Sequence, residues 1–307
     1  MQASGKALAD HLMVWRQRSF QTRAEKLPFV GLAGRDVYNI TAPFETAQMT
    51  VLAGRVEARY SENAEVLFFS FRHGVWQPLP EAPVPALQDP FVAFIRGEMV
   101  MGGVETFIDP RGKPPYFFWW RTVLLRGRDL FHLTPFFRGP DGMKDIRLVE
   151  LEDGQVGVFT RPQGGSAGLG KIGFTRVPSL DDLTAETILE APLLEGLFAP
   201  EEWGGANEVH RLPDGKLGVL GHMARREGLY RHYYAMAFRF DPGTLAWEDL
   251  RIIAERQDFL PGPAKRKELR NVVFPGGLIR HGDGTAHLYA GVSDAEAQRL
   301  LIPDPFL

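Results

Sequence analysis

The chain has 307 residues, of which 44% are hydrophobic and 24% charged, an ordinary composition for a soluble globular protein. The formal net charge of −3 provides no basic surface for nucleic acid, and the lack of cysteine excludes disulfides and cysteine-based metal sites. No apolar run approaches the roughly 18 residues that a membrane-spanning helix requires. We therefore expect a cytoplasmic protein without nucleic-acid or membrane partners, while its oligomeric state stays open.

The start of the chain is expected to be helical. Three apolar residues recur there at nearly helical spacing, namely Leu8, Leu12 and Trp15. Charged residues interrupt the same stretch, so it lacks the apolar core of a signal peptide. We expect residues 1–28 to form an N-terminal helical extension, packed on the outside of one domain that spans residues 29–307.

Strands dominate the predicted structure from residue 29 onward. Polar turns separate β-rich stretches and predict two hairpins, 49–60 with 65–72 and 116–126 with 129–138. Residues 230–256 form another strand pair around an Asp-Pro-Gly turn. Residues 179–191 carry helix-capping residues and predict a short helix or a crossover between sheets.

One pattern recurs five times: a turn with a polar residue, an alternating strand, a Gly/Asp turn and a second strand. At intervals of roughly 50 to 70 residues, the repeats are anchored by Asn39, Asp89, Asp145, Asn207–Glu208 and Gly276. A repeat of strand pairs without long helices is typical of a β-propeller. We predict an all-β fold, a five-bladed β-propeller with four strands in each blade and a short N-terminal helix. The first strand of each blade lines the channel, so the anchors should meet in one cavity.

Several long sequence stretches resemble a known family, among them GRDVYNITAPF, EWGGANEVHRLPDGKLGVLGH and VVFPGGLIRHGDGTAHLYAGVSDAEAQ. The chain resembles bacterial members of a family long described as having unknown function. That family is similar to the mannogen phosphorylases and mannosyltransferases of trypanosomatid parasites, glycosyltransferase family 108. More distantly it is similar to the β-mannoside phosphorylases of glycoside hydrolase family 130. The resemblance covers about residues 29–300 and implies a five-bladed propeller with carbohydrate-active chemistry.

Asp89 is the first candidate for catalysis. It precedes Pro90 at the start of a strand, where an Asp-Pro pair is also typical of a simple turn. In the mannoside phosphorylases an Asp-Pro pair in the same blade carries the catalytic acid. The resemblance therefore implies that Asp89 protonates the glycosidic oxygen, directly or through a sugar hydroxyl. One acid suffices for a phosphorylase because phosphate is itself a nucleophile, whereas a hydrolase needs a second carboxyl group.

A phosphorylase also needs cations that hold phosphate. Arg161 and Lys171 flank the glycine-rich stretch RPQGGSAGLGK, whose amides and charges suit an anion. The candidate phosphate-binding residues are Arg147, Arg161, Lys171 and His222. Each of them can equally be an ordinary charged or polar residue at a blade edge. Arg226 and His232 are further possible members of this set, but Arg225 and Arg226 lie in a polar run that is more typical of the surface.

Polar groups that face a channel are also suited to bind sugar hydroxyls, since amides and carboxylates both exchange hydrogen bonds with them. The candidate substrate-binding residues are Asn39, Arg55, Asp145, Asn207, Glu208 and Asp294. The resemblance supports two of them: Asn39 matches the start of the first blade in the mannoside phosphorylases, and Asp294 matches a sugar-holding Asp in the last. Trp203, Tyr233 and Tyr234 have rings suited to stack on a sugar, although core packing explains them as well.

The resemblance implies inverting phosphorolysis of β-1,2-linked mannosides and, in reverse, synthesis from mannose 1-phosphate. Inorganic phosphate would be a co-substrate. We expect no other cofactor and no metal, because the histidines and carboxylates show no ligand spacing. Two alternatives stay open: an inverting glycoside hydrolase in which Asp145 or Glu208 positions water, and a non-catalytic sugar-binding propeller. In each case the partner is a small molecule or an oligosaccharide.

Overall fold

The computed structural model describes residues 7–109 and 118–307, which form five antiparallel sheets arranged as the blades of a propeller. A helix, α1, spans Leu8–Arg16, and a short second helix, α2, spans Ala185–Leu189. The predicted all-β class, five blades and N-terminal helix are therefore confirmed. None of the helices in these ranges is long and apolar enough to span a membrane.

The strands follow the predicted hairpins. Strand β1 is Arg23–Lys26, and the first blade contains β2 to β6, with bounds Asp36–Tyr38, Phe44–Glu45, Thr50–Glu57, Glu65–Arg72 and Val75–Pro78. The second blade contains β7 to β10, with bounds Gln88–Ile95, Glu98–Ile108, Phe118–Gly127 and Thr134–Arg138. Residues 116 and 117 of the expected strand 116–126 lie outside the described residues.

The remaining blades complete the ring. The third blade contains β11 to β13, with bounds Arg147–Glu150, Val156–Thr160 and Gly173–Val177. The fourth contains β14 to β17, with bounds Trp203–Arg211, Leu217–Glu227, Tyr230–Phe240 and Trp247–Ala254. The fifth contains β18 to β20, with bounds Val273–Arg280, Thr285–Val292 and Glu296–Pro303.

The third blade differs from the prediction of four strands in every blade. Within the described ranges it has three, and a single bridge between Gly173 and Leu193 lies where a fourth strand would run. The intervening chain forms α2 instead. The hydroxyl of Thr184 caps this helix by accepting a hydrogen bond from the Thr187 amide, which satisfies one of its free N–H groups.

The inner strand of each blade is irregular at its anchor residue. Left-handed φ values occur at three anchors, Asn39 (45°), Asp89 (50°) and Asp145 (61°). Asn and Asp adopt this conformation more readily than other non-glycine residues, which explains their recurrence. At the other two anchors, Asn207 and Gly276, a β-bulge interrupts the strand. Such irregularities redirect side chains, so the anchor side chains do not follow the regular alternation of a strand between its two faces.

The fifth blade is closed by a strand from the start of the chain. Strand β1 pairs antiparallel with β20, and Arg299 Nη2 lies 2.6 Å from Glu25 Oε2 across this pairing. Gly291 packs against the first blade so closely that a Cβ there would lie 2.0 Å from Asn39 Oδ1. Residues 23–26 of the expected N-terminal extension thus belong to a blade sheet, while the boundary between residues 28 and 29 stays a prediction.

Helix α1 packs against the fourth blade beside β17, as its apolar spacing predicts. Leu8, Leu12 and Trp15 are buried there, and the indole Nε1 of Trp15 donates to Asp258 Oδ2 at 2.8 Å. Ala7 offers no capping side chain at the helix start. Instead, Glu202 accepts a hydrogen bond from the Leu8 amide at 2.9 Å, so a carboxylate of the blade caps the helix.

This packing predicts that Leu12→Ala lowers the free energy of unfolding by about 2–4 kcal/mol, since a buried leucine leaves a cavity when truncated. Leu12 is 3% exposed, whereas its neighbour Met13 is 53% exposed. Urea unfolding of both variants checks this, and Met13→Ala should stay within about 0.5 kcal/mol of the native protein. Equal losses for the two variants would contradict the observed docking of α1.

Candidate active site

Asp89 is a buried carboxylate whose orientation is set by the first blade. It is 6% exposed, and its Oδ1 accepts hydrogen bonds from Asn39 Nδ2 at 2.7 Å and Arg55 Nη1 at 3.1 Å. Burial alone would raise the pKa of Asp89, but the charges of Arg55 and Lys144 and the Asn39 hydrogen bond hold it below its usual value. Asp89 is therefore ionised and fixed in position.

Arg55 is in turn held by carboxylates on its other side. Its Nη2 lies 3.0 Å from Glu57 Oε1 and 3.2 Å from Glu62 Oε2. Lys265 also pairs with Glu57, and its Nζ donates to the Tyr38 hydroxyl at 3.2 Å. Burial opposes the charged form of Arg55, but the nearby charges, Asp89 first among them, raise its pKa. Asp89 thus faces a permanently charged guanidinium, and the carboxylates on its other side hold that guanidinium in place.

Asp294 is the second carboxyl group in this region and differs from Asp89 in its surroundings. It lies in the turn between β19 and β20 with a left-handed φ of 51°, and it is half-buried. Its carboxyl has no hydrogen-bond or ion-pair partner within the described ranges. Burial raises the pKa of Asp294 to about 6, an effect that Arg55 opposes and the charge of Asp89 increases. The two carboxyls thus favour opposite protonation states at mildly acidic pH.

Asp145 lies between two arginines of the third blade. It is 1% exposed, with Arg161 Nε 3.5 Å from its Oδ2 and Arg147 Nη2 3.6 Å from its Oδ1. Burial disfavours its charge, but Arg161, Lys144 and their neighbours lower its pKa to about 2. Arg147 is itself fixed, because its Nε donates to the Asn207 carbonyl at 2.8 Å and its guanidinium covers the Phe91 ring at 4.4 Å.

Arg161 and Lys144 keep hydrogen-bonding capacity that the protein does not use. Arg161 is 2% exposed; its Nε donates to the Gly204 carbonyl at 2.9 Å, but its Nη1 is buried without a partner. Gly170 packs on this guanidinium, with a φ of 139°, and a Cβ there would lie 2.9 Å from Nη2. Lys144 forms no hydrogen bond or ion pair with any described residue. Both cations line one cavity of about 630 Å³.

The cavity lies between two long hairpins, β8–β9 and β15–β16. Its wall includes three aromatic side chains, those of Trp120, Trp203 and Tyr233. The indole N–H groups are bonded to protein, Trp120 to the Gly142 carbonyl at 2.9 Å and Trp203 to the Tyr233 hydroxyl at 3.2 Å. With these polar groups bonded to the protein, the aromatic surfaces can stack on an apolar ligand face such as that of a sugar ring.

His222 is present in this region as a neutral imidazole. It is fully buried, and its ring stacks on Tyr233 with the centroids 5.4 Å apart. Burial lowers the pKa of His222 to about 3, outweighing the attraction of Asp145. Its Nδ1 lies 2.8 Å from Asn207 Oδ1, which orients the ring. His222 therefore contributes no positive charge to this region.

Most predicted site residues come together, and two do not. The residues that converge are Asn39, Arg55, Asp89, Asp145, Arg147, Arg161, Asn207, His222 and Asp294. Lys171 instead forms a part-exposed ion pair with Glu195 at 3.0 Å. Glu208 accepts from the Leu278 amide at 2.7 Å and lines a separate cavity of about 310 Å³. Glu208 therefore lies outside the cavity lined by Lys144 and Arg161, and it shares the smaller cavity with Asn207 and Arg147.

Lys144 is the functional candidate that the sequence analysis missed. It directly precedes Asp145, as Gln88 directly precedes Asp89, and both preceding residues line the large cavity. This repeated position before an anchor was the signal available in the sequence. Arg226, for which the sequence left a surface position and a place in the phosphate site open, also lines the cavity. The described residues contain no group of three or more His, Asp or Glu side chains that could hold a metal ion.

Comparison with solved structures identifies close relatives. The chain is 33% identical to MPT-4, a mannose phosphorylase from Leishmania mexicana solved in complex with a phosphate ion; the match covers 97% of this chain and 92% of MPT-4, with a TM-score of 0.86. It is 30% identical to MPT-1, a GDP-Man-dependent mannosyltransferase from the same organism, over 98% of this chain and 95% of MPT-1, with a TM-score of 0.87.

A more distant neighbour has the same fold. It is the β-1,2-mannobiose phosphorylase from Listeria innocua, 14% identical over 91% of this chain and 90% of the other, with a TM-score of 0.64. No curated protein sequence matches the chain significantly. The family model described as "Protein of unknown function (DUF1861)" matches residues 15–307, nearly the whole described propeller. The chain therefore belongs to the DUF1861 family.

Proposed function

We propose that the protein is a mannoside phosphorylase, which transfers a mannosyl group between a saccharide and inorganic phosphate. The observation that carries this proposal is the unused bonding capacity of Arg161 and Lys144 near two carboxyls, Asp89 and Asp294, whose pKa values are shifted in opposite directions. Charge-assisted hydrogen bonds from such cations are the usual means of holding phosphate. The similarity to a mannose phosphorylase that binds phosphate supports the same reading.

The proposed reaction is a single displacement. A phosphate oxygen forms a bond to the anomeric carbon while the glycosidic C–O bond breaks, and the leaving oxygen takes a proton from a carboxyl group. Attack from the face opposite the leaving group inverts the anomeric centre, so a β-mannoside yields α-mannose 1-phosphate. We further propose a β-1,2 linkage; it rests on the family resemblance of the sequence.

The proton source is proposed to be the Asp89–Asp294 pair. The sequence predicts Asp89 as the donor, but Arg55 and Asn39 favour its ionised form. Asp294 holds its proton to higher pH and has no protein partner in the described ranges. In this mechanism Asp294 carries the proton in the free enzyme, and Asp89 orients the sugar hydroxyl through which the proton reaches the leaving oxygen.

A hydrolase of the same fold has weaker support. It would need a carboxylate that activates water, and the sequence analysis named Asp145 and Glu208 for this role. Asp145 is a poor base, because two arginines flank it and its pKa is about 2. Glu208 lines a different cavity. A purely sugar-binding propeller would not require unpaired cations beside the two carboxyls.

The test is to incubate the protein with mannose 1-phosphate and a panel of saccharide acceptors and to measure released phosphate. The converse reaction uses β-1,2-mannobiose with and without inorganic phosphate. Phosphate-dependent formation of mannose 1-phosphate supports the proposal. Release of free mannose at the same rate without phosphate would identify a hydrolase, and no turnover with bound sugar would identify a binding protein.

Substitution of the two cavity cations should weaken phosphate use selectively. Lys144→Met and Arg161→Met should each raise the KM for phosphate by roughly 10-fold or more, since each removes a charge-assisted contact. Lys171→Met is the matched control, because Lys171 pairs with Glu195 away from the cavity. Steady-state phosphorolysis at varied phosphate concentration measures the effect. A larger effect in the Lys171 variant than in the other two would reverse the assignment.

The rate losses caused by substituting Asp294 and Asp89 should depend differently on the leaving group of the substrate. Asp294→Asn and Asp89→Asn should each lose at least ~10²-fold in rate on an unactivated mannoside, as expected for general acid catalysis. A nitrophenyl leaving group needs little protonation, so the deficit should shrink strongly for Asp294→Asn and less for Asp89→Asn. Comparing both substrates in both variants measures this. A deficit that shrinks only for Asp89→Asn would make Asp89 the direct donor.

Asp294 should also give the protein a distinct dependence of stability on pH. Its folded pKa of about 6 lies above the unfolded value, so its stabilising contribution is complete below about pH 4 and is lost as pH rises through about 6. Relative to the native protein, Asp294→Asn should therefore gain about 1–2 kcal/mol of unfolding free energy between those pH values. Denaturant unfolding at both ends of the window measures this, and a pH-independent difference would contradict the raised pKa.

A further inference from the structure

The tip of the β15–β16 hairpin carries two arginines directly opposite each other. Arg226 and Arg231 are Cα partners in the antiparallel register, so their side chains leave the hairpin on the same face. Both are exposed and both line the 630 Å³ cavity. Like charges placed directly across a strand pair destabilise it, so their position invites a functional explanation.

No carboxylate of a described residue pairs with these two arginines. Neither guanidinium forms a hydrogen bond or ion pair with any residue in the described ranges. Glu227, the nearest acid along the strand, pairs with Arg225 and lies 3.5 Å from His232. Among the described lining residues, Glu201 is one carboxylate against the four cations Lys144, Arg161, Arg226 and Arg231. The cavity is therefore strongly positive at its rim as well as at its base.

The base and the rim of the cavity are separate places. At the base, Arg161 is almost fully buried, and one of its nitrogens is buried without a partner. Arg226 and Arg231 are solvent-accessible at the hairpin tip, and the aromatic wall of Trp203 and Tyr233 lines the same cavity. A cavity of this size accommodates more than a single phosphate ion. A saccharide bound along the aromatic wall would present one end to each cationic group.

We propose that Arg226 and Arg231 form a second anion-binding subsite, which recognises an acidic group on the acceptor saccharide. The group is a phosphate ester or a carboxylate, because both match the paired planar guanidinium donors. This inference rests on the proposed function, which assigns the phosphate nucleophile to Arg161 and Lys144. It makes the acceptor an acidic sugar and the product an acidic mannoside.

Binding in saturating inorganic phosphate tests the subsite without requiring turnover. Calorimetric titration compares mannose 6-phosphate, glucuronic acid and uncharged mannose on the native protein and on an Arg226→Gln/Arg231→Gln double variant. We expect the double variant to bind the preferred acidic sugar about 10- to 100-fold more weakly, as loss of charge-assisted contacts predicts. Mannose binding should stay unchanged. The two acidic probes distinguish a phosphate ester from a carboxylate.

Arg225→Gln is the matched control, because Arg225 lies on the same hairpin but pairs with Glu227. It should bind all three sugars like the native protein. Equal affinity of native and double variant for both acidic sugars would overturn the subsite. A parallel titration with GDP-mannose covers the donor, and a defect confined to that ligand would also overturn the subsite, because it would place the anion on the donor. If acidic sugars bind through the pair but no mannoside reacts with phosphate, the proposed function fails and the subsite remains.

Discussion

The neutralisation of buried carboxylates near the channel is the constraint on which the rest of this structure depends. Asp89 and Asp145 are almost inaccessible to solvent, and an unpaired buried charge costs several kcal/mol. Arg55 on the first blade neutralises Asp89 on the second. Near Asp145, Arg161 and Arg147 bond to carbonyls of β14 on the fourth blade. The same contacts that offset the charge thus hold neighbouring blades in register.

Beside the cavity, some charged side chains lack a partner of opposite charge among the described residues. Arg55 is paired with Glu57, Glu62 and Asp89, and Arg147 contacts carbonyls and an aromatic ring. Arg161 and Lys144 are not saturated by described residues, and Asp294 has no cation of its own. Polar groups left unsatisfied in a folded protein are costly, so their concentration at one end of a channel indicates a place for a ligand.

The fold and the anchors could be predicted from the sequence, because both depend on local signals. Strand alternation and turn residues identify the blades, and Asn or Asp at a left-handed position identifies the irregular point of an inner strand. Side-chain direction could not be predicted. Gln88 lines the large cavity while the adjacent Asp89 bonds to Asn39 and Arg55, and Arg225 and Arg226 leave opposite faces of one hairpin. A shift of one residue reverses such assignments, and only tertiary pairing sets the register.

The ring of blades closes only when the first strand, β1, pairs with the last strand, β20. Glu25 and Arg299 meet across a separation of 274 residues, so the ribosome must release almost all of the propeller before these strands can pair. Contacts of such long range are slow to form. The last blade also carries Asp294 and the Gly291 contact that receives Asn39. A nascent chain therefore holds four blades while the candidate site is incomplete, and Asp294 joins that site only when the final strands pair.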